Sequence, residues 1–515
     1  MPHYAAIDIG SNSVRLEVAE VTVAANGTAA PAKILVSERQ VTRLGASVFR
    51  TGRISAEAME FLADALSKMA QSYKRYEPAA IRAVATSAVR DASNQQEFLQ
   101  RVSAAAGTPV EIISGQEEAR LIHLGVQSRW PHLRQRVLMI DIGGGSAEII
   151  LSDSGRILLA VSKQLGALRL TELFLKSDPP KESELHRLEE YITERIAPAV
   201  RRMGSARIDR VIATSATASA VVCAANAIPR TKREAADKLR CSATQLRSLY
   251  AELSSRSLSE RRKITGIGPR RAEIIIPGVA VLNRVLRDLS LPSLYYSAAG
   301  VRDGIIADLI ARNTGRAATQ MNRDQREMVE GMGTRYGVSM KHVRKVSRMA
   351  GELFLALEPL HKLPHHYSRL LEAAAHLHDI GHFVSDTRHH KHSYYLVSNS
   401  DMPGFTERER EVIANLCRYH RKAMPSPEHP NWQPLDPESR RAVTLLAPLL
   451  RIADNLDRSR GQRVKALECD LRDSDVVLKL HSNGNVDLEA WAAERSGEFF
   501  RQVYNRSIVL TRVRA

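Results

Sequence analysis

Residues 5–21 read AAIDIGSNSVRLEVAEV, and residues 138–154 read LMIDIGGGSAEIILSDS. Each is an apolar run ending in Asp-Ile-Gly, a short turn closing on Ser, and a stretch alternating apolar with polar residues. Period-two alternation marks a strand, so each segment predicts a β-hairpin. The two align without a gap: Asp8, Gly10 and Ser13 correspond to Asp141, Gly143 and Ser146. Between them, helical spacing begins near Ser55 (SAEAMEFLADALSKMAQSY) and near Ser93 (SNQQEFLQRVSAAAG), each behind an N-cap residue. Short β-branched runs, Val110–Ile113, Arg210–Ser215 and Ala272–Gly278, read as strands or strand ends. The first half of the chain is therefore an α/β structure of two like lobes.

The duplicated turns suit phosphate. A Gly-rich turn lets backbone N–H groups point at an anion without interference from Cβ, and a Ser hydroxyl adds a donor. Gly143-Gly144-Gly145-Ser146 is the richer turn, and Ser11-Asn12-Ser13 is its partner. Two such turns facing across a cleft would grip adjacent phosphates. Asp8 and Asp141, at strand ends, can hold a hydrated Mg²⁺ that bridges phosphate oxygens.

The turns resemble the phosphate loops of the sugar kinase, Hsp70 and actin superfamily. The words around them are similar to those of the exopolyphosphatase and guanosine pentaphosphatase family: ATSAVRDA from Ala85, ISGQEEARLIHLGV from Ile113, LGALRLTELF from Leu165, IIIPGVAVL from Ile274 and SAAGVRDGII from Ser297. The resemblance runs over essentially the whole chain, in the family's order. It implies Glu118 as the catalytic base, where the residues alone leave Glu117 and Glu118 equal. It also implies Arg90 as a phosphate-binding arginine, phosphate contacts from Ser11, Asn12, Ser13, Arg15, Gly143, Gly144, Gly145 and Ser146, and Asp141 and Glu148 as the Mg²⁺ carboxylates. Arg15 takes the place of Glu148 in the first hairpin, so the repeat is not chemically symmetric. Where the family has Ser-Gly-Thr in a second-lobe loop, this chain reads Thr214-Ser215-Ala216-Thr217. The stretch GIGPRR near Gly266 lacks the preceding strand and βαβ context of a dinucleotide loop.

Beyond Asn313 the texture turns to long helical patterns. Twelve of the 17 histidines lie between His342 and His429. His342, His378-Asp379 and Asp454 resemble the H…HD…D order of the HD phosphohydrolase superfamily, and His392 and His420 stand where some members add ligands. The resemblance implies a second divalent metal site there, or a structural relic lined by satisfied histidines. Asp454 sits in the apolar helix LLAPLLRIADNL, where an ionised carboxylate needs a partner. The basic stretches 388–392 and 418–422 offer either a path for a long polyanion or a solvated face. From Asp475, alternating strands around Ser482-Asn483-Gly484-Asn485 precede a helix.

The expected fold is thus a two-lobed actin-like α/β fold (a duplicated ribonuclease H-like unit), then an all-α HD-like domain and a small α+β tail. The expected boundaries are 1–122 and 123–312 for the lobes, 313–474 for the helical domain and 475–515 for the tail. A chain of 515 residues with 44% hydrophobic and 25% charged residues supports several cores. The net charge of +17 predicts capture of polyanions. With aromatics at 5% and no basic stretch interleaved with stacking residues, specific nucleic-acid binding is not expected. No signal peptide or membrane span is recognisable and the four cysteines lack CxxC spacing, so a cytoplasmic protein with reduced thiols and no membrane partner is expected. The functional expectation is a hydrolase of phosphoric anhydrides using Mg²⁺. Inorganic polyphosphate is the first substrate and guanosine pentaphosphate the second; the contrasting reading is a non-catalytic basic module that binds polyphosphate or RNA. The family resemblance also implies a homodimer.

Overall fold

The first predicted hairpin is β1 (His3–Ile9) paired antiparallel with β2 (Ser13–Glu20), and β3 (Lys33–Val41) extends it. On the other edge of β1, β4 (Ala80–Ala85) and β5 (Val110–Ile112) add in parallel, giving the sheet order β3-β2-β1-β4-β5. The second hairpin, β6 (Arg136–Ile142) with β7 (Ala147–Asp153), repeats the plan. Its sheet adds β8 (Arg156–Lys163), β9 (Arg210–Thr214), β10 (Arg240–Ser242) and β11 (Ser293–Tyr296) in the order β10-β11-β9-β6-β7-β8. Apart from the antiparallel edge strand β10, this is one topology used twice. Strands β1 and β6 are buried along nearly their whole length, as expected of central strands covered on both faces.

The structure, a computed structural model, describes residues 1–22, 32–132, 134–204, 207–313, 319–482 and 484–514. It divides into two compact units, Met1–Ala311 and Arg312–Ala515. Within the first, two helices link the lobes. Gly115–Arg129 places Leu121 in the apolar cluster on the first sheet and Ile122 and Val126 in the cluster on the second. Val301–Asn313 returns Ile305 and Leu309 to the first sheet. The predicted lobe boundary at 122/123 thus falls inside a helix, and residues near 301–309 pack on the lobe opposite to the one predicted.

The predicted helix after Ser55 is Ala56–Lys74, with the Ser55 hydroxyl accepting from Ala58 N at 3.3 Å. Asn94 precedes the helix Gln95–Ala106 but turns its carboxamide to both backbone groups of Ile54 instead. One strand expectation is corrected: Ala272–Gly278 is not a strand. Pro269–Ala272 and Ile275–Asp288 are helices, and Pro277 falls in the first turn, where its missing N–H costs nothing. A short all-apolar run cannot by itself separate a buried strand from a buried helix.

In the second unit, helices including Met340–Ala356, His366–Leu377, Glu407–Tyr419 and Pro437–Asn455 lead into a sheet of order β12-β13-β14. Here β12 (Val464–Leu471) pairs antiparallel with β13 (Asp475–Ser482), and β14 (Ser507–Arg514) pairs parallel after two helices, Asp487–Glu494 and Gly497–Tyr504. The predicted boundary at 474/475 therefore cuts a hairpin. Val464, Leu478 and Phe500 share one core with Phe354 and Tyr419 of the helices, so the tail is part of the helical body. The strand expected after the Asn-Gly turn is the helix Asp487–Glu494; Asn483 itself lies outside the described residues. All four cysteines are free thiols, and no described helix is long and apolar enough to cross a membrane.

Candidate active site

The two duplicated turns close identically: Gly10 N donates to Ser13 O at 3.1 Å, and Gly143 N to Ser146 O at 3.0 Å. They also touch. A Cβ on Gly144 would meet the Cβ atoms of Ser11 and Asn12 at 3.1 and 3.2 Å, and one on Gly145 would meet Ser11 Oγ at 2.6 Å and Ser87 Oγ at 2.5 Å. Glycine at these positions is what lets the lobes approach at their duplicated turns. The Ser11 hydroxyl accepts from Ala88 N, tying the first turn to the start of the helix Ser87–Asp91. Arg169, which sequence reasoning passed over, donates to Gly145 O at 2.8 Å and pairs with Asp91, so it joins the second turn to the first lobe.

Hairpin register decides what faces the cleft. Asp8 stands opposite Arg15, and Asp141 opposite Glu148. Arg15 and Glu148 thus occupy equivalent places with opposite charge. Glu118, from the first turn of Gly115–Arg129, accepts from Arg90 Nη1 at 2.9 Å, and Arg90 also donates to Ile113 O. Ser162 Oγ donates to Glu148 at 2.8 Å. Burial raises the carboxyl pKa of Asp8, Glu118, Asp141 and Glu148; Glu118 and Asp8 push Asp141 further, to about 7, and Glu118 and Asp141 push Glu148 well above the usual range. Arg90 and Arg15 offset only part of this. Four buried carboxylates with too little positive charge beside them have the oxygen chemistry that suits a hard divalent cation.

Glu117 faces elsewhere. It accepts from Arg82 and Arg120 at 2.7–3.0 Å, and both arginines also reach Asp308, a buried network between the helix Gly115–Arg129 and the helix Val301–Asn313.

The loop that reads Thr214-Ser215-Ala216-Thr217 carries its left-handed residue at Ser215, with φ 77°, and Ser215 Oγ donates to Ile142 O at 2.8 Å. Ala216 lines the cleft from the first turn of the helix Ser215–Ala225. Beyond the turns, a cavity of about 810 Å³ shares Asn12, Arg15, Arg39, Arg271 and Arg302 with the cleft and adds Arg230 and Arg233. Burial and crowding by neighbouring arginines pull Arg39 down to about 10 and Arg271 to about 9. Arg271 belongs to the GIGPRR stretch, which is no dinucleotide loop but presents an arginine to this cavity.

In the helical unit the structure brings His342, His378, Asp379 and Asp454 together. His342 Nε2 lies 3.3 Å and His378 Nε2 3.4 Å from Asp454 Oδ1, and His378 Nε2 lies 3.6 Å from Asp379 Oδ1. His420 joins them, whereas His392 does not line the cavity; His389, three residues earlier on the same helix, does. Asp454 is at the rim, and the fully buried carboxylate of that segment is Asp457, bonded to His342 Nδ1 at 2.8 Å. Because His389, His390 and His420 are buried, the two basic stretches are not continuous solvated faces.

Two sheets of one topology meeting at paired glycine–serine turns over a carboxylate cluster define an actin-like, phosphate-handling fold. The chain belongs to the Ppx/GppA phosphatase family: that family's profile matches residues 22–313, and the profile of Ppx/GppA phosphatase domain III matches residues 325–492. Solved relatives agree. A family member from Aquifex aeolicus is 26% identical with a TM-score of 0.52, covering 61% of this chain and 98% of its own. An exopolyphosphatase from Cytophaga hutchinsonii is 27% identical with a TM-score of 0.54, covering 60% and 97%. An exopolyphosphatase-like protein is 29% identical with a TM-score of 0.55, over 60% and 97%. The chain is thus a member of a phosphatase family.

Proposed function

We propose that the chain is an exopolyphosphatase that releases orthophosphate from the ends of inorganic polyphosphate. The observation that carries this reading is the arginine-lined cavity opening from the turn-lined cleft, sharing Arg15, Arg39, Arg271 and Arg302 with it. A terminal phosphate seated between Ser11–Ser13 and Gly143–Ser146 leaves the rest of a polyanion facing those guanidinium groups, which suit phosphate oxygens. Glu118, with its basicity raised by burial and its position held by Arg90, accepts a proton from water. The water oxygen bonds to the terminal phosphorus, the P–O anhydride bond breaks, and the shortened chain departs as an oxyanion toward Arg15 and Arg271. Arg90 is close enough to Glu118 to share itself with the transferred phosphoryl group. Asp141 and Glu148 would hold Mg²⁺, which when bound neutralises charge on phosphate oxygens.

Guanosine pentaphosphate would be cut at the same centre. The lining of the larger cavity offers no aromatic side chain among the described residues on which a base could stack. That favours the longer, base-free anion. Arg39→Ala with Arg271→Ala should raise KM for long polyphosphate about tenfold or more while leaving kcat within a few-fold, since distant phosphate contacts contribute binding common to ground and transition states. Equal kcat/KM losses for polyphosphate and guanosine pentaphosphate would remove the preference for polyphosphate. A homodimer in the cytosol belongs to the same proposal, and sedimentation of the purified protein checks the dimer. His342, His378, Asp379 and Asp454 are proposed in turn as ligands of a second divalent metal.

A further inference from the structure

The cavity beyond the turns is lined, among the described residues, by eight arginines, Arg43 and Arg270 joining the six already named, and by two carboxylates, Glu172 and Glu273. Arg43 and Glu273 line this cavity and not the cleft between the turns. A carboxylate on the path of a polyanion repels it, and the partners of Glu273 show where that repulsion acts.

Glu273 stands two residues beyond Arg271, between the helices Pro269–Ala272 and Ile275–Asp288. Its Oε2 accepts from Arg43 Nη2 at 2.6 Å and its Oε1 from Arg262 Nη2 at 3.1 Å. Arg43 comes from the first lobe, where it precedes the helix Leu44–Thr51 with φ 53°. Its backbone is fixed to the first duplicated turn: Thr42 N and Arg43 N both donate to Asn12 O, at 3.1 and 3.2 Å, and Gly45 N donates to Ser11 O at 2.8 Å. The ion pair therefore joins the Ser11–Ser13 turn of one lobe to the arginine-bearing segment of the other. As a brace it is weak, since the side chains are 51% and 28% exposed and solvated pairs contribute little to stability. Its larger effect is on charge, because Glu273 occupies a guanidinium group that would otherwise face the cavity free.

We propose that Glu273 is a specificity-determining residue that limits the cavity's hold on long polyphosphate by occupying Arg43. The inference rests on the reading of the cavity as the path of a polyphosphate chain and adds the residue that sets the chain-length preference. A terminal phosphate at the turns, with its nearest neighbours among Arg15, Arg39, Arg271 and Arg302, stays clear of Glu273. A phosphate farther along meets a guanidinium already paired and a carboxylate of its own sign, and it binds only by taking Arg43 from Glu273. Discrimination by such a repulsive element is as effective as discrimination by added contacts. A chain that loses its terminal phosphate must advance before the next cleavage, and a distal grip weakened by Glu273 lets it move.

The test measures KM for long polyphosphate and for tripolyphosphate in full-length variants at one ionic strength, and reads the ratio of the two. Glu273→Gln should lower that ratio about fivefold, with the change in KM for the long chain rather than in kcat. Arg43→Met leaves the carboxylate without its first-lobe partner and should raise the ratio about fivefold or more. Adding Glu273→Gln to Arg43→Met should recover most of that loss, whereas a pair that only braced the lobes would make all three variants equally defective. A native circular-dichroism spectrum checks that each variant is folded. An unchanged or raised ratio in Glu273→Gln, or a double variant no better than Arg43→Met, would overturn the role of Glu273. Arg39→Ala with Arg271→Ala separates this from failure of the cavity reading: if it raises KM for long polyphosphate while Glu273→Gln changes nothing, only the Glu273 assignment falls. If neither moves KM, the path itself is wrong and both fall.

Discussion

Glu117 and Glu118 are neighbours whose environments differ because successive helical residues diverge by about 100°. Glu118→Gln is expected to lower kcat by about 10²–10⁴, the usual worth of a general base, without loss of thermal stability. Glu117→Gln removes the carboxylate charge that Arg82 and Arg120 share, leaving them Asp308 in a buried network, and should cost up to about 3–5 kcal/mol of stability with a lesser effect on kcat. Initial rates of orthophosphate release and denaturant titrations of both variants check this, and a fully active Glu118→Gln would reject the base assignment. The turns and Asp141 were readable because Asp-x-Gly-x-x-Ser occurs twice, whereas Glu148 came only from the family resemblance, its place being taken by Arg15 in the first hairpin. It could not rank the two glutamates, since both suit a first helical turn, and it hid Arg39, Arg169 and Arg271, because an isolated arginine reads as surface. His389 was missed in favour of His392 because order along the chain does not say which face of a helix meets Asp379.

At the scale of elements, the two linking helices meet glycine to backbone. A Cβ on Gly304 would stand 1.8 Å from Leu121 O, and one on Gly125 would stand 2.2 Å from Gly300 O. Gly304→Ala should therefore destabilise by about 1–3 kcal/mol through overpacking, although alanine is the better helix former. It should also depress kcat, since Glu118 rides on the displaced helix. Gly331, on the exposed side of the helix Arg323–Arg335 with nothing within 4 Å of an added Cβ, is the control: Gly331→Ala should stabilise by about 0.5–1 kcal/mol. Urea midpoints of the pair read the opposite signs. Periodicity found the long helices and the duplicated hairpins, whose patterns are local. The Ile274–Ile276 run and strand β12 escaped it, the first because an all-apolar run fits a buried strand or a buried helix equally, the second because its state is set by pairing with β13.

For the molecule as a whole, burial of the carboxylate cluster makes stability depend on pH and on metal together. The folded pKa of Asp141, about 7, lies above its unfolded value near 4, so the folded state binds the proton more tightly and stability falls as pH rises between the two. Glu148, raised further by Glu118 and Asp141 as well as by burial, contributes with the same sign. The penalty is fully present above about pH 7, and a divalent cation removes it by compensating the charges. Added Mg²⁺ should consequently raise Tm more at about pH 8 than at about pH 6, and Asp141→Asn should shrink that difference. The same cluster sits wholly within Met1–Ala311, and about three-fifths of this chain suffices to cover 97–98% of each of three solved relatives. A fold that makes up an entire chain elsewhere does not need the helical unit to form its core. Residues 1–313, which keep the helix Val301–Asn313 intact, should fold cooperatively and show the Mg²⁺ and pH dependence of Tm, with kcat for terminal phosphate release within about tenfold of the full chain, about 1.4 kcal/mol in the barrier. A soluble, folded 1–313 that hydrolyses nothing would mean that residues from the helical unit take part in the chemistry, and would move the active-site assignment away from Glu118 and its cluster alone.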